Sequence, residues 1–359
     1  MSRLGLTVPT PAFRLAVACC RWCIAADNRD ELVTLLGMVT GTDVLAMARR
    51  HRIVGLVHRA VREAGSPLAE GDAALLAEAA RHNTEQGLVA AAESRALHGH
   101  FDAAGIPLLF LKGLTVGQLA WGDSFLKTSW DLDLLVLPED IERAASLLSG
   151  LGYEQQTPLP TRAVSDWHHL HKESVWRAAN GLHLDLHSRL VDQPRLLPTL
   201  DASSPQQDVE ILPRLILPTL ASEELFAYLC VHGASSAWFR LKWIADLAAL
   251  IDGDPPLRIE QLFRRSQQLG AGRAASQALL LVAQLFGPLA SPQLERELRA
   301  DKPACRLAHI ALRELCHDRE PTERALGTAM IHASQLALGG SLGFAMAEMG
   351  RQLRSAVSR

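Results

Sequence analysis

Asp131 and Asp133 stand one residue apart in the run Ser129-Trp130-Asp131-Leu132-Asp133-Leu134-Leu135-Val136-Leu137. Two carboxylates at the head of an apolar strand are costly to bury unless a cation compensates them, and a divalent metal does so. In a β-strand, side chains at i and i+2 leave the same face about 6.6 Å apart, so the aspartates point one way and Leu132 and Leu134 the other. Magnesium takes near-octahedral oxygen ligands and is commonly held by one or two carboxylates together with substrate phosphates. A solvated strand end carries the same sequence, so the neighbouring elements must decide.

Upstream, Ile106-Pro107-Leu108-Leu109-Phe110-Leu111-Lys112-Gly113 predicts a buried strand that ends in Lys-Gly and opens a helix running to Trp121. Gly113 lets backbone N–H groups approach an anion, the helix N-terminus carries partial positive charge, and Lys112 adds a full one. Together they would cradle a phosphate; a plain turn with a solvated lysine is the alternative. Downstream, the segment from Leu182 to His187 alternates strictly, putting His183, Asp185 and His187 on one face. Paired beside the aspartate strand, Asp185 becomes a third carboxylate able to bind metal and to position or act as a general base. An antiparallel strand with one solvated face explains the alternation equally well.

In that order, these motifs resemble the nucleotidyltransferase superfamily, with its DNA polymerase beta-like fold, and within it a bacterial branch of uncharacterised nucleotidyltransferases. The resembling text is Leu111-Lys112-Gly113, Asp131-Leu132-Asp133, Leu151-Gly152-Tyr153, Leu184-Asp185-Leu186-His187, Cys230-Val231-His232-Gly233 and Arg240-Leu241-Lys242-Trp243-Ile244-Ala245-Asp246. It covers the chain from about residue 75 to about 250. The branch commonly carries Arg four residues before the first Asp; Lys127 stands there, keeping the charge without the bidentate guanidinium fork.

The resemblance implies an α+β fold: a small mixed sheet with flanking helices, embedded between N-terminal and C-terminal helical regions. It implies that Asp131, Asp133 and Asp185 bind Mg2+ and catalyse transfer of a nucleoside monophosphate from a nucleoside triphosphate. Lys112, Gly113, Lys127, His187 and Lys242 would contact the nucleotide. The acceptor would be a small molecule, a peptide or a protein. The alternatives are a catalytically quiet module that binds a nucleotide or a partner, and a toxin-like enzyme that modifies tRNA or protein.

A formal net charge of −3 gives no electrostatic reason to expect long nucleic acid as a partner. Cys20 and Cys23 form C-x-x-C on an apolar helical stretch from Ala12 to Ala26, without a second ligand pair. With Cys19, they read as small buried hydrophobes and, without a secretory signal, as reduced thiols of a cytoplasmic protein. No membrane association is expected. The uncharged segment from Ala325 to Ala347 reads as a buried helix interrupted at Gly339-Gly340, with membrane or partner contact as the alternative.

Four regions follow. Residues 1–103 are helical, with Thr42 or Asp43 as N-cap before Val44 and a long helix from Asp72 to Phe101, and are expected to pack against the sheet. Residues 104–192 are the catalytic core. Residues 193–221 are a Pro-rich connection with a hairpin over Val209–Leu217 that covers, borders or merely links to the site. Residues 222–359 are helical again, with Ser222 as N-cap. His168, His169, His171, His183 and His187 crowd together, but zinc needs ligands that converge, and spacing alone does not supply that. His187 would orient Asp185 or touch phosphate. Lys242 and Asp246, four apart on a helix, also suit an ordinary surface pair worth about 0.3–0.5 kcal/mol.

Overall fold

The computed structural model describes residues 9–65, 68–127, 131–159 and 163–358. Ser129 and Trp130 of the aspartate run lie outside them. The chain opens with α1 (Pro11–Ala25), α2 (Arg29–Leu36), α3 (Gly41–Arg50), α4 (Val54–Glu63) and the long α5 (Glu70–Ala103). The α3 N-cap is Thr40, two to three residues earlier than the expected Thr42 or Asp43. Its hydroxyl accepts the Asp43 N–H while the Asp43 carboxylate accepts the Thr40 N–H, a reciprocal capping box. Cys19 and Cys20 are fully buried and Cys23 half-buried, as small core residues.

The α+β centre then follows as β1 (Leu109–Phe110), α6 (Leu114–Trp121), β2 (Asp131–Leu135), α7 (Ile141–Gly150), β3 (Glu154–Thr157), α8 (Val164–His168), β4 (Glu173–Arg177) and β5 (His183–His187). These strands form a mixed five-stranded sheet in the order β1-β2-β5-β4-β3. Only the β2–β5 pairing is parallel; β1, β4 and β3 join antiparallel. Leu132, Leu134, Leu184 and Leu186 are buried on the apolar face with α5 and α7. This leaves the aspartates on the opposite face.

A hairpin of β6 (Gln206–Leu212) and β7 (Leu215–Leu220) follows the sheet. Its Val209, Ile211, Leu215 and Leu217 join the apolar core, and it packs on β1 and α6. It therefore backs the strand that leads to Lys112-Gly113.

The remaining helices are α9 (Ser222–Ser235, capped by Ala221 rather than Ser222), α10 (Leu241–Leu250), α11 (Pro256–Gln268), α12 (Gly272–Leu285), α13 (Pro292–Ala300), α14 (Lys302–Leu315), α15 (Gly327–Leu336) and α16 (Leu342–Ser358). Of the N-terminal helices, α5 packs against the sheet, while α1 packs on α2, α3, α4 and α10. One apolar core thus runs from Phe13 to Phe344 through both helical regions.

The uncharged C-terminal segment breaks at the glycines but is not a buried helix. Leu338 and Phe344 join the core, but Leu326, Met330, Leu342 and Met346 are exposed, because lack of charge does not by itself decide burial. Among the described residues no single helix is long and apolar enough to cross a membrane.

Candidate active site

The parallel register sets Asp131 opposite His183, Asp133 opposite Asp185 and Leu135 opposite His187. Strands β2 and β5 therefore bring two carboxylates side by side on one face, a convergence that neither strand's alternation determines alone. Lys112 follows β1 directly, and its Nζ lies 2.8 Å from Asp133 Oδ1. Gly113, at φ +68°, turns the chain into α6, a conformation that a residue with a Cβ adopts only under strain. The Lys-Gly turn and the aspartate strand thus meet at one point.

Asp133 is 6% exposed, and His187 Nε2 lies 3.2 Å from the same Oδ1. Burial works to raise this carboxyl, but Lys112 and His187 outweigh it and hold it well below the usual carboxylate range. Asp185 has no ion-pair partner among the described residues. Burial pushes it up to about 8, aided by the negative charges of Glu173, Asp133 and Asp131. Glu173, on β4 opposite His187, is raised by burial but brought down to about 2 by Lys172 and His187.

His187 is fully buried and reaches Asp133 and, at 3.4 Å, Glu173 Oε2. It bridges two carboxylates from within, and its burial leaves no open face toward a phosphate. Burial and Lys172 lower its pKa, so it is neutral. Among the described residues, the histidines that crowd in the sequence form no metal-holding group with one another, in keeping with the reading that spacing alone does not supply convergence. His168 is held between Ser188 Oγ (2.7 Å) and Ser174 Oγ (3.1 Å), and His171 stacks on Trp167.

Ligand atoms of Asp133, Asp185 and His187 lie within 4.8 Å of one another. A set dominated by carboxylate oxygen suits a hard cation such as magnesium better than zinc. The upward shift of Asp185, caused first by burial and then by the carboxylates facing it, marks a charge that a bound divalent ion would compensate. The residues the structure brings together for such an ion are Asp133, Asp185 and His187, and Asp131 heads the same face of β2.

A second buried group lies beside Asp131. Lys127, 6% exposed, is ion-paired to Asp246 of α10, and Asp246 Oδ1 also accepts the Trp121 indole N–H at 2.9 Å. Asp246 is therefore no surface partner of Lys242. Gly55 of α4 packs so closely on the Leu126 backbone that a Cβ there would come within 2.2 Å of its carbonyl oxygen. Both contacts anchor the segment that enters the aspartate strand.

Lys242 is half-buried and has no hydrogen bond or ion pair among the described residues. Burial and Lys127 bring it down to about 7, against the opposing pull of Asp131. Arg52, at φ +55°, also feels Asp131 and Arg240. Sequence reasoning missed Arg52, Lys172 and Glu173. The sole advance signal was the basic run Arg49-Arg50-His51-Arg52, since Lys172-Glu173 forms no motif until β4 pairs with β5.

The sequence model of a family described as uncharacterised nucleotidyltransferase matches residues 39–287, a span that includes every site residue from Arg52 to Asp246. No curated protein matches the chain.

Proposed function

The chain belongs to this nucleotidyltransferase family, and from that premise we propose that it transfers a nucleoside monophosphate from a magnesium-bound nucleoside triphosphate to an acceptor hydroxyl. The observation that carries this reading is the register of Asp133 against Asp185 on parallel strands, with Lys112-Gly113 beside them. Magnesium, when bound, would neutralise phosphate charge and polarise the α-phosphate. Asp131, Asp133 and Asp185 would hold it.

The chain's own groups supply the remaining parts. The α6 N-terminus after Gly113 offers backbone N–H groups to the phosphates. Lys242 and Arg52 add positive charge near Asp131. Lys112, already bound to Asp133, fixes that carboxylate and His187 backs it. Asp185, deprotonated beside the cation, accepts the acceptor proton. The acceptor oxygen bonds to the α-phosphorus, the bond to the bridging oxygen breaks, and pyrophosphate leaves. Positioning and charge neutralisation supply most of the acceleration in such chemistry.

A catalytically quiet nucleotide-binding module is the second reading. It is favoured by the Lys112 ammonium, which already neutralises Asp133 without any metal. Incubation with each α-labelled nucleoside triphosphate and magnesium, followed by assay of pyrophosphate and labelled product, separates the two. Magnesium-dependent release lost in Asp131→Asn supports transfer. Tight nucleotide binding with no release from any triphosphate supports the quiet module.

A further inference from the structure

The catalytic face of the sheet does not end at β5. Beyond it, Glu173 and Val175 of β4 stand opposite His187 and Asp185, and both form the floor of a cavity of about 1180 Å³ that runs between the β3–β4 edge and helices α15 and α16. Lys112-Gly113 lies at the other edge of the sheet, by β1. Asp185 therefore sits between the phosphate turn and this cavity.

The walls define what fits. Leu159 on one side, and Met349 and Leu353 one helical turn apart on the other, are 72%, 42% and 66% exposed, so apolar groups face the opening from both walls. The charges lining it balance in number, Lys172 and Arg351 against Glu173 and Asp192. Lys172 is ion-paired to Glu173 and donates its backbone N–H to Asp192 Oδ1 at 3.1 Å, and Arg351 Nε donates to Glu348 Oε2 at 2.9 Å. A phosphate-rich or strongly cationic occupant would find no spare counter-charge in these pairs. The volume exceeds the roughly 300–1,000 Å³ of ordinary small-molecule sites. The α15–α16 wall also lies beyond residue 287, where the family match ends.

We propose that this cavity binds the acceptor, and that the acceptor is an uncharged, partly apolar polypeptide segment presenting a side-chain hydroxyl to Asp185. The assignment rests on the nucleotidyl-transfer reading above. The hydroxyl oxygen would form the new bond to the α-phosphorus, its proton would pass to Asp185, and pyrophosphate would leave with the electrons of the broken P–O bond.

The test uses the full chain and three eight-residue peptide libraries, each with one Ser, Thr or Tyr: one without charged residues, one Lys/Arg-rich, one Asp/Glu-rich. Retention is measured without nucleotide, and transfer of label is measured with magnesium and α-labelled triphosphates. The uncharged library should be retained preferentially and labelled. Met349→Asp with Leu353→Asp, at exposed positions, should lower retention at least tenfold while magnesium–nucleotide binding persists, and Leu159→Asp on the opposite wall should act alike. Equal retention by variants and parent, preference for a charged library, or loss of nucleotide binding in the variants would overturn the assignment, the last because the cavity would then hold the nucleoside. Peptide retention without magnesium-dependent label would instead overturn the transfer reading and leave a peptide site standing.

Discussion

Lys127 and Asp246, 119 residues apart, form a buried ion pair that ties the segment entering the aspartate strand to helix α10. The lysine that sequence comparison offers as a phosphate contact is therefore committed to a carboxylate, while Lys242 nearby has no ion pair among the described residues. On the proposed reading, Lys242 rather than Lys127 would contact phosphate.

Removing one member of this pair leaves a buried charge alone, which costs about 3–5 kcal/mol. Asp246→Leu is expected to lose stability on that scale in denaturant unfolding. Lys127→Met combined with Asp246→Leu should recover most of it, short by about 1–3 kcal/mol for the Trp121 indole N–H left without its acceptor. A double variant no more stable than the single would show that the pair is not the cause.

The three aspartates should separate on substitution. Asp185→Asn is expected to lower transfer about 10²–10⁴-fold, as for loss of a general base, with nucleotide affinity nearly intact. Asp131→Asn should abolish magnesium-dependent pyrophosphate release with little change in the unfolding midpoint. Asp133→Asn should do both kinds of damage, since it also strips Lys112 of its partner. Unfolding curves measured alongside turnover distinguish these patterns.

Nucleotide binding should take up a proton at Lys242. In the free protein this ammonium is brought from its ordinary 10.5 down to about 7, and a bound triphosphate would raise it again. Between those limits the bound state holds more protons, so affinity should fall as pH rises from 7, by up to about tenfold per unit. Calorimetry in buffers of different ionisation enthalpy reads the uptake directly, and Lys242→Met should abolish it.

Acid should loosen the fold through histidines buried in neutral form. His51, whose Nδ1 accepts the Leu241 N–H at 3.2 Å, and His168 are both brought from 6.5 down to about 3, chiefly by burial. Between those values the unfolded chain binds protons that the folded one refuses, so stability is full above about pH 6.5 and is lost as pH falls. The slope is at most about 1.4 kcal/mol per pH unit for each histidine. Unfolding midpoints measured from pH 7 to 4 check it, and His51→Asn should reduce the slope.

Much of the site was legible because strands and turns write short-range signals. Alternation over Leu182–His187 put Asp185 and His187 on one face, the Lys-Gly turn appeared where a strand met a helix, and the hairpin appeared between prolines. The role of His187 was not legible, because its full burial comes from β4 laying Glu173 across it. Nor was the partner of Asp246: a helix offers Lys242 four residues away, and only the docking of α10 beside Lys127 shows which lysine it meets.

By itself the sequence determined the local devices: an Asp-x-Asp strand with one apolar face, a glycine turn opening a helix, and small cysteines buried along α1. Each follows from backbone periodicity and side-chain size acting over a few residues. Tertiary structure decided what those devices face. Parallel pairing of β2 with β5, rather than an isolated solvated strand, gathers the carboxylates, and the docking of helices far along the chain sets which charges are paired and which remain for a ligand. Charge interactions depend on distance in space, and residues distant in sequence acquire that distance only when the chain has closed on itself.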